Sequence, residues 1–262
     1  MELLYGLHPV EEAVRSGSRA LDHVIVARER RDERLERIMQ LCRTAGVRIS
    51  LEPRDQLTKL AKTDAHQGVL AMVQERKLLA LEDLLGTAPK HGYQFLVALD
   101  GVEDPHNLGA ILRTCDAAGV DGVILPERRA APLNSTVAKA SAGASEHVRI
   151  AQVTNIVRSL EQAKQRHYWI VGLDERGTVD YNDFDFRANV VLVLGREGAG
   201  MHDLVKRTCD HLVRIPMAGS VSSLNVSVAG AVVMYEAMRQ RRSQTAPERT
   251  EVPPRKRKGL GS

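Results

Sequence analysis

Residues 212–236, LVRIPMAGSVSSLNVSVAGAVVMYE, decide how the rest of the chain is read. The apolar opening, 212–215, predicts a short buried strand that stops at Pro216. A loop follows through Gly219, and then Ser222 and Ser223, both suited to capping a helix that runs from Leu224 to about Met238. Asn225 falls in the first turn of that helix, and Val226, Ala229, Gly230, Val233 and Ala237 give it a side of small apolar residues. An Asn at a helix start, beside serines and a Gly-containing loop, offers hydrogen bonds to a ligand. The same residues also suit a plain capped helix with its Asn in water. Other stretches of the same shape have to decide between the two.

Two such stretches exist. In DGVEDPHNLGAILRTCDAAGV (100–120), a strand ends in an acidic loop, and Asn107 sits near the start of a helix that carries Arg113. Arginine suits phosphate or an oxyanion, because its planar fork stays charged and matches two oxygens. It equally suits a surface pair with Asp116 or Glu103. In VVLVLGREGAGM (190–201), Gly195, Gly198 and Gly200 permit positive φ or close backbone approach, and Glu197 could anchor a cation such as Arg113. The GxxGxG spacing is not the GxGxxG of a dinucleotide site, and no GxxxxGK[ST] occurs.

The 262 residues are 43% hydrophobic, a globular balance with room for one large or two ordinary domains. No apolar run nears the roughly 18 residues of a membrane span. The opening MELLYGLHPVEE lacks the basic region and long apolar core of a signal peptide. Cys42, Cys115 and Cys209 are scattered without a CxxC pair, which fits a reducing cytoplasm rather than a disulfide framework or a structural zinc. His106 has no second His or Cys at ligand spacing, so no metal is expected. The net charge of +4 is uneven: residues 239–262 hold eight Lys or Arg against two Glu, which leaves −2 on the rest. Within them, 243–262 is Pro-rich and without periodicity, and reads as a disordered basic tail suited to nonspecific phosphate contacts or to solubility.

Residues 1–75 alternate short apolar strands (3–7, 21–27, 47–51 and 68–73) with helical patterns and predict a compact α/β domain. The arginines between positions 28 and 37 are interleaved with acids and read as a solvated helix face. Residues 76–93 carry charge, Gly and Pro and read as a linker with one short helix. Residues 94–242 form a second α/β unit, with strands at 95–100, 122–125, near Val148, and at 168–173, 190–194 and 212–215. Helical segments between them predict a mostly parallel sheet covered on both faces.

Taken together, N-x5-R, LGREG-x-G and IPM-x-G-x-VSSLNVS resemble motifs 1, 2 and 3 of the SpoU class of SPOUT-superfamily RNA 2'-O-ribose methyltransferases. LLYGLHPVEEAV resembles the opening of their small RNA-binding domain, so the likeness spans about residues 1–242. Within the class, the pattern is most similar to bacterial members that methylate a guanosine ribose in 23S ribosomal RNA. The resemblance implies an L30e/L7Ae-like N-terminal domain and a C-terminal SPOUT α/β domain with a deep trefoil knot. It also implies S-adenosylmethionine as methyl donor, and a homodimer whose active sites use both subunits. Periodicity alone gives a doubly wound sheet, since knots are rare.

The resemblance further implies that backbone groups of Gly195, Ile215 and Leu224 hold the adenosine portion, with Leu194 and Met217 nearby. The implied catalytic set is Asn107, Arg113, Glu197, Ser223 and Asn225. In it Arg113 stabilises the ribose alkoxide and a nearby phosphate with Glu197 orienting it, while Ser223 and Asn225 orient substrate and cofactor. Other classes compete: the same chemistry on another ribosomal or transfer RNA site, or a noncatalytic RNA-binding assembly factor. A Rossmann-type methyltransferase needs a Gly-rich loop after the first strand of the second domain, which Asp100-Gly101-Val102-Glu103 does not supply. Aromatics at 3% favour recognition of a folded RNA by shape and phosphate over base stacking.

Overall fold

The computed structural model describes residues 1–30, 32–90 and 92–242, so the expected basic tail lies outside the described residues. The N-terminal unit contains β1 (Glu2–Tyr5), α1 (Leu7–Ser16), β2 (Leu21–Ala27), α2 (Glu33–Thr44), β3 (Arg48–Glu52), α3 (Arg54–Ala61) and β4 (Val69–Val73). Its four-stranded sheet has the order β1-β4-β2-β3, with β2 and β3 parallel and β4 antiparallel to β1 and β2. α2 starts where it does because the Asp32 side chain accepts from the N–H groups of Arg34 and Leu35. Leu35, Ile38 and Cys42 then recur at helical spacing and are buried with Val10 and Val14 of α1 and Val24 and Val26 of β2.

The second unit contains α4 (Leu81–Leu85), β5 (Phe95–Leu99), α5 (Pro105–Ala117), β6 (Gly122–Pro126), α6 (Ser135–Ala140), β7 (Ile150–Val153), α7 (Ile156–Gln165) and β8 (Trp169–Leu173). It continues with β9 (Val179–Asp180), β10 (Val190–Leu194), α8 (Asp203–Thr208), β11 (His211–Arg214) and α9 (Val226–Arg242). Its seven-stranded sheet has the order β7-β6-β5-β10-β8-β11-β9, and every pairing is parallel. The α/β reading with a parallel sheet therefore holds. β5 (FLVAL) and β10 (VVLVL) are buried along their whole length because helices cover both faces. In β10, Val190, Leu192 and Leu194 pack with Leu108, Leu112 and Val233, whereas Val191 and Val193 pack with Leu160, Ala163 and Val205.

Several local expectations shift. β7 begins at Ile150 rather than near Val148, because the chain first makes a tight turn over Ala144–Glu146 that buries Val148. β9 is a two-residue edge strand too short to leave a sequence signal. The 76–93 segment is more than a connector. Leu79 N–H donates to the Ile150 carbonyl at 2.8 Å, and Leu81, Leu84 and Leu85 are buried in the core of the C-terminal unit.

α9 starts at Val226 and is capped by Asn225 rather than Ser222 or Ser223: Asn225 Oδ1 accepts from Ser227 N–H at 2.9 Å. It runs on to Arg242 because Arg241, buried near its end, donates to the carbonyls of Phe186, Tyr93 and Ala188 and stacks on Phe95. Burial pulls the Arg241 guanidinium down to about 10, so it remains a cation at neutral pH.

The two units are locked together along α6. Ala138 is buried in the N-terminal core, and Arg19 pairs with the buried Glu146 at 2.7 Å while Arg76 reaches the same carboxylate at 3.2 Å. The direction of strand progression reverses between β5 and β10, since β6 and β7 lie on one side of β5 and β8 and β11 beyond β10. In parallel α/β sheets a ligand cleft forms beyond the carboxyl ends of the strands at such a point.

Candidate active site at the carboxyl ends of the central strands

Three polar side chains from distant stretches meet there. α5 follows β5 closely, with Asp104 accepting from His106 N–H at 2.9 Å and Pro105 opening the helix, so Asn107 is buried in its first turn. β10 leads into a tight turn in which Arg196 and Gly200 exchange backbone hydrogen bonds at 3.0 Å, and Glu197 projects from it. Asn225 caps α9 beside both. Asn107 Nδ2 donates to Glu197 Oε2 at 3.0 Å, and Asn225 Nδ2 donates to Asn107 Oδ1 and to Glu197 Oε1, each at 2.9 Å. Asn225 Oδ1 is fixed by the N–H and Oγ of Ser227. Both amides are thereby held in one orientation by a single carboxylate.

Glu197 also borders a cleft of about 590 Å³, within the range of small-molecule sites. Leu194, Gly195, Ile215, Met217 and Leu224 all line it, and so does Ser223. Its lining mixes aliphatic with charged side chains, and Ile215, Met217 and Ser222 to Leu224 reach it from a segment that forms neither helix nor strand. Gly195 is required by packing: a Cβ there would lie 2.3 Å from the Gly200 carbonyl carbon and the Met201 nitrogen. Glu175, Glu197 and Asp203 add acids to the lining and Arg176 and Arg196 add cations, while Lys206 is ion-paired with Asp174 at 2.8 Å. Aliphatic side chains beside groups of both charges suit a ligand with a flat heterocycle and a charged end, which matches S-adenosylmethionine.

Arg113 is the exception. It is exposed, two turns along α5, and Glu197 does not hold it; both carboxylate oxygens are taken by the two asparagine amides instead. Arg113 lies toward the N-terminal unit. The His8 ring there is pushed below its ordinary value first by burial, then by the charges of Arg34 and, more weakly, Arg113. Neither Asp116 nor Glu103 pairs with Arg113, and Ser223 joins the cleft but not the triangle of bonds. Sequence reasoning missed Asp100, a buried carboxylate that accepts from His202 N–H at 2.7 Å and lies 2.9 Å from its Nδ1. An acid as the last residue of an otherwise apolar strand was its only signal. Among the described residues no group of three His, Cys, Asp or Glu could hold a metal ion, and no helix is long and apolar enough to cross a membrane.

Comparisons with known proteins agree with this geometry. The SpoU rRNA Methylase family model matches residues 94–235, and the model for RNA 2'-O ribose methyltransferase substrate binding matches residues 3–79. A 23S rRNA (guanosine-2'-O-)-methyltransferase RlmB of Ralstonia nicotianae is 44% identical over 92% of this chain and 96% of its own length. A putative TrmH family tRNA/rRNA methyltransferase YacO of Bacillus subtilis is 45% identical over 79% of this chain and 83% of its own. Among solved structures, the SpoU methyltransferase AviRb of Streptomyces viridochromogenes, in complex with AdoMet, aligns with a TM-score of 0.76 at 28% identity, covering 92% of this chain and 90% of that one. An AdoMet-bound rRNA methyltransferase of Sinorhizobium meliloti gives 0.73 at 29% identity, over 91% and 87%. With its three motif stretches joined at one cleft and a family model spanning more than half its length, the chain belongs to the SpoU rRNA methylase family.

Proposed function

We propose that this chain transfers a methyl group from S-adenosylmethionine to the ribose 2'-hydroxyl of a guanosine in 23S ribosomal RNA. The observation that carries the reading is the Asn107–Glu197–Asn225 triangle beside the aliphatic cleft. When bound, the cofactor supplies an electrophilic methyl group. Leu194, Ile215, Met217 and Leu224 enclose its adenosine portion, with backbone groups of Gly195, Ile215 and Leu224 giving polar contacts. Asn107 and Ser223 orient the reacting groups through hydrogen bonds, while Glu197 and Asn225, whose amide is spent on Asn107, Glu197 and Ser227, hold Asn107 in place. A ribose hydroxyl is a weak acid, and Arg113 stabilises the negative charge that develops as its proton leaves.

The working form is a homodimer. Arg113 is exposed and makes no bond to its own triangle, and Val228 and Tyr235 on α9, with Leu224 just before it, expose apolar surface. A second copy seated on that surface covers it and brings its Arg113 to the first copy's site. Residues 1–75 act as the RNA-recognition unit, 76–93 join it to the methyltransferase domain of 94–242, and the cytoplasm is the site of action. A trefoil knot is supported by the path of the chain, which leaves β11 near one edge of the sheet and returns beneath β10 for α9 to pack on α5.

The test is transfer of labelled methyl from S-adenosylmethionine to unmodified 23S, 16S and transfer RNA. Label confined to 23S RNA supports the reading. Label in transfer RNA favours the same chemistry on transfer RNA, in keeping with the Bacillus subtilis relative, a putative tRNA/rRNA methyltransferase. No label in any RNA contradicts both.

A further inference from the structure

The turn between β5 and α5 carries a second cluster, next to the triangle but outside it. Asp100 directly follows β5, is 5% exposed, and is occupied by His202 through both the backbone N–H and Nδ1. His202 Nε2 then faces Arg129, whose Nη1 lies 3.3 Å away. Arg129 is exposed in the loop after β6, and that loop is tied to the same turn by Ala131 N–H donating to the Val102 carbonyl at 2.9 Å.

Arg196 approaches from the other side. Its Cγ and Cδ lie 2.5 and 2.8 Å from the point where a Cβ on residue 101 would sit, and His202 Cε1 lies 3.7 Å from that point. Only glycine there, at φ +85°, lets Arg196 lie across the turn. Arg196 Nε donates to the Gly200 carbonyl at 3.4 Å. Among the described residues neither guanidinium has a carboxylate within ion-pair distance.

We propose that Arg129 and Arg196 form a receptor for a backbone phosphate of the RNA, beside the ribose to be methylated, with His202 accepting from Arg129 and holding it there. Two guanidinium groups brought to one turn from separate loops match the oxygens of a phosphodiester, and Asp100 orients His202 without neutralising the arginines. Arg196 immediately precedes Glu197, so a phosphate held here fixes the register of the strand entering the site. All three are positioning residues.

This inference rests on the RNA-methyltransferase reading, and its test separates the two. Binding of unmodified 23S RNA is measured at several salt concentrations for the wild type, Arg129→Ala, Arg196→Ala and Gly101→Ala, with cofactor affinity measured by calorimetry. Each arginine variant should weaken RNA binding about 10-fold and lower the slope of log affinity against log salt by about 1, and Arg129→Ala, which lies outside the cleft, should leave cofactor affinity unchanged. KM for RNA should rise more than kcat falls, and Gly101→Ala, which displaces Arg196, should behave like Arg196→Ala. Wild-type slopes and affinities in the variants would overturn the inference alone. So would a loss confined to cofactor affinity, which would assign Arg196 to the cleft that it partly lines. A wild type that neither binds nor methylates RNA would overturn the functional reading as well.

Discussion

Asn225 Nδ2 and Asn107 Oδ1, 118 residues apart in the chain, are joined by a 2.9 Å hydrogen bond, and the same Nδ2 reaches Glu197 at 2.9 Å. The second helix of the site is therefore docked to the first through a carboxylate that accepts from both amides. Glu197→Gln turns one acceptor oxygen into a donor, which faces an asparagine N–H and frees an amide to rotate. We expect kcat to fall about 100-fold with a smaller change in KM for RNA, as for a slightly misplaced catalytic group. Steady-state kinetics on 23S RNA checks it.

Gly195→Ala tests the cleft rather than the chemistry. The added methyl meets backbone atoms of Gly200 and Met201, which cannot move without opening the turn. Cofactor affinity by calorimetry should fall at least about 10-fold, equivalent to about 1.4 kcal/mol. An affinity within twofold of wild type would mean the turn does not shape the cofactor site.

Much of this site is legible in the sequence because each motif sits just past a buried strand, where polar or glycine residues interrupt an apolar pattern. Its partners are less legible. Charge complementarity favours Arg113 for Glu197, but the two asparagines lie nearer in space and take both oxygens. Ser222 and Ser223 have cap propensities like that of Asn225, and it is the tertiary bonds of Asn225 that set the helix start. α4 reads as part of a linker because its five residues are too few to show a period, while the burial of Leu84 depends on strands distant in sequence. Return of the chain beneath β10 leaves no mark in local periodicity at all.

The proposed two-subunit site makes a quantitative prediction. Arg113→Ala and Asn225→Ala chains should each be inactive alone. After mixing, unfolding and refolding, half of the dimers combine both chains, and each of these has one intact site. Activity should return to roughly a quarter of wild type. No recovery, with mixed dimers demonstrated by mass spectrometry, would mean that Arg113 acts within its own chain.

The cysteines give a pH-dependent prediction. Burial pushes the Cys42 thiol up to about 11 and the Cys209 thiol up to about 12, from an ordinary value of 9.0, and raises Cys115 as well. At pH 8 the Cys42 thiolate fraction is about one in a thousand, so native thiols should react with iodoacetamide far more slowly than the unfolded chain does. The folded state also keeps these protons longer than the unfolded state. Their contribution to stability is full below pH 9 and declines as pH rises from 9 toward 12. Titration of Tm over that range checks the sign.

The most direct measurement is nucleoside mass spectrometry of 23S RNA after incubation with S-adenosylmethionine and either the wild type or Asn225→Ala, with RNA and cofactor binding measured alongside. The expected result is 2'-O-methylguanosine with the wild type and its loss, by about 100-fold or more, in the variant that still binds RNA. A methyl group found on a base, or on the ribose of another nucleotide, would contradict the assigned reaction. Full activity of Asn225→Ala would contradict the assigned site.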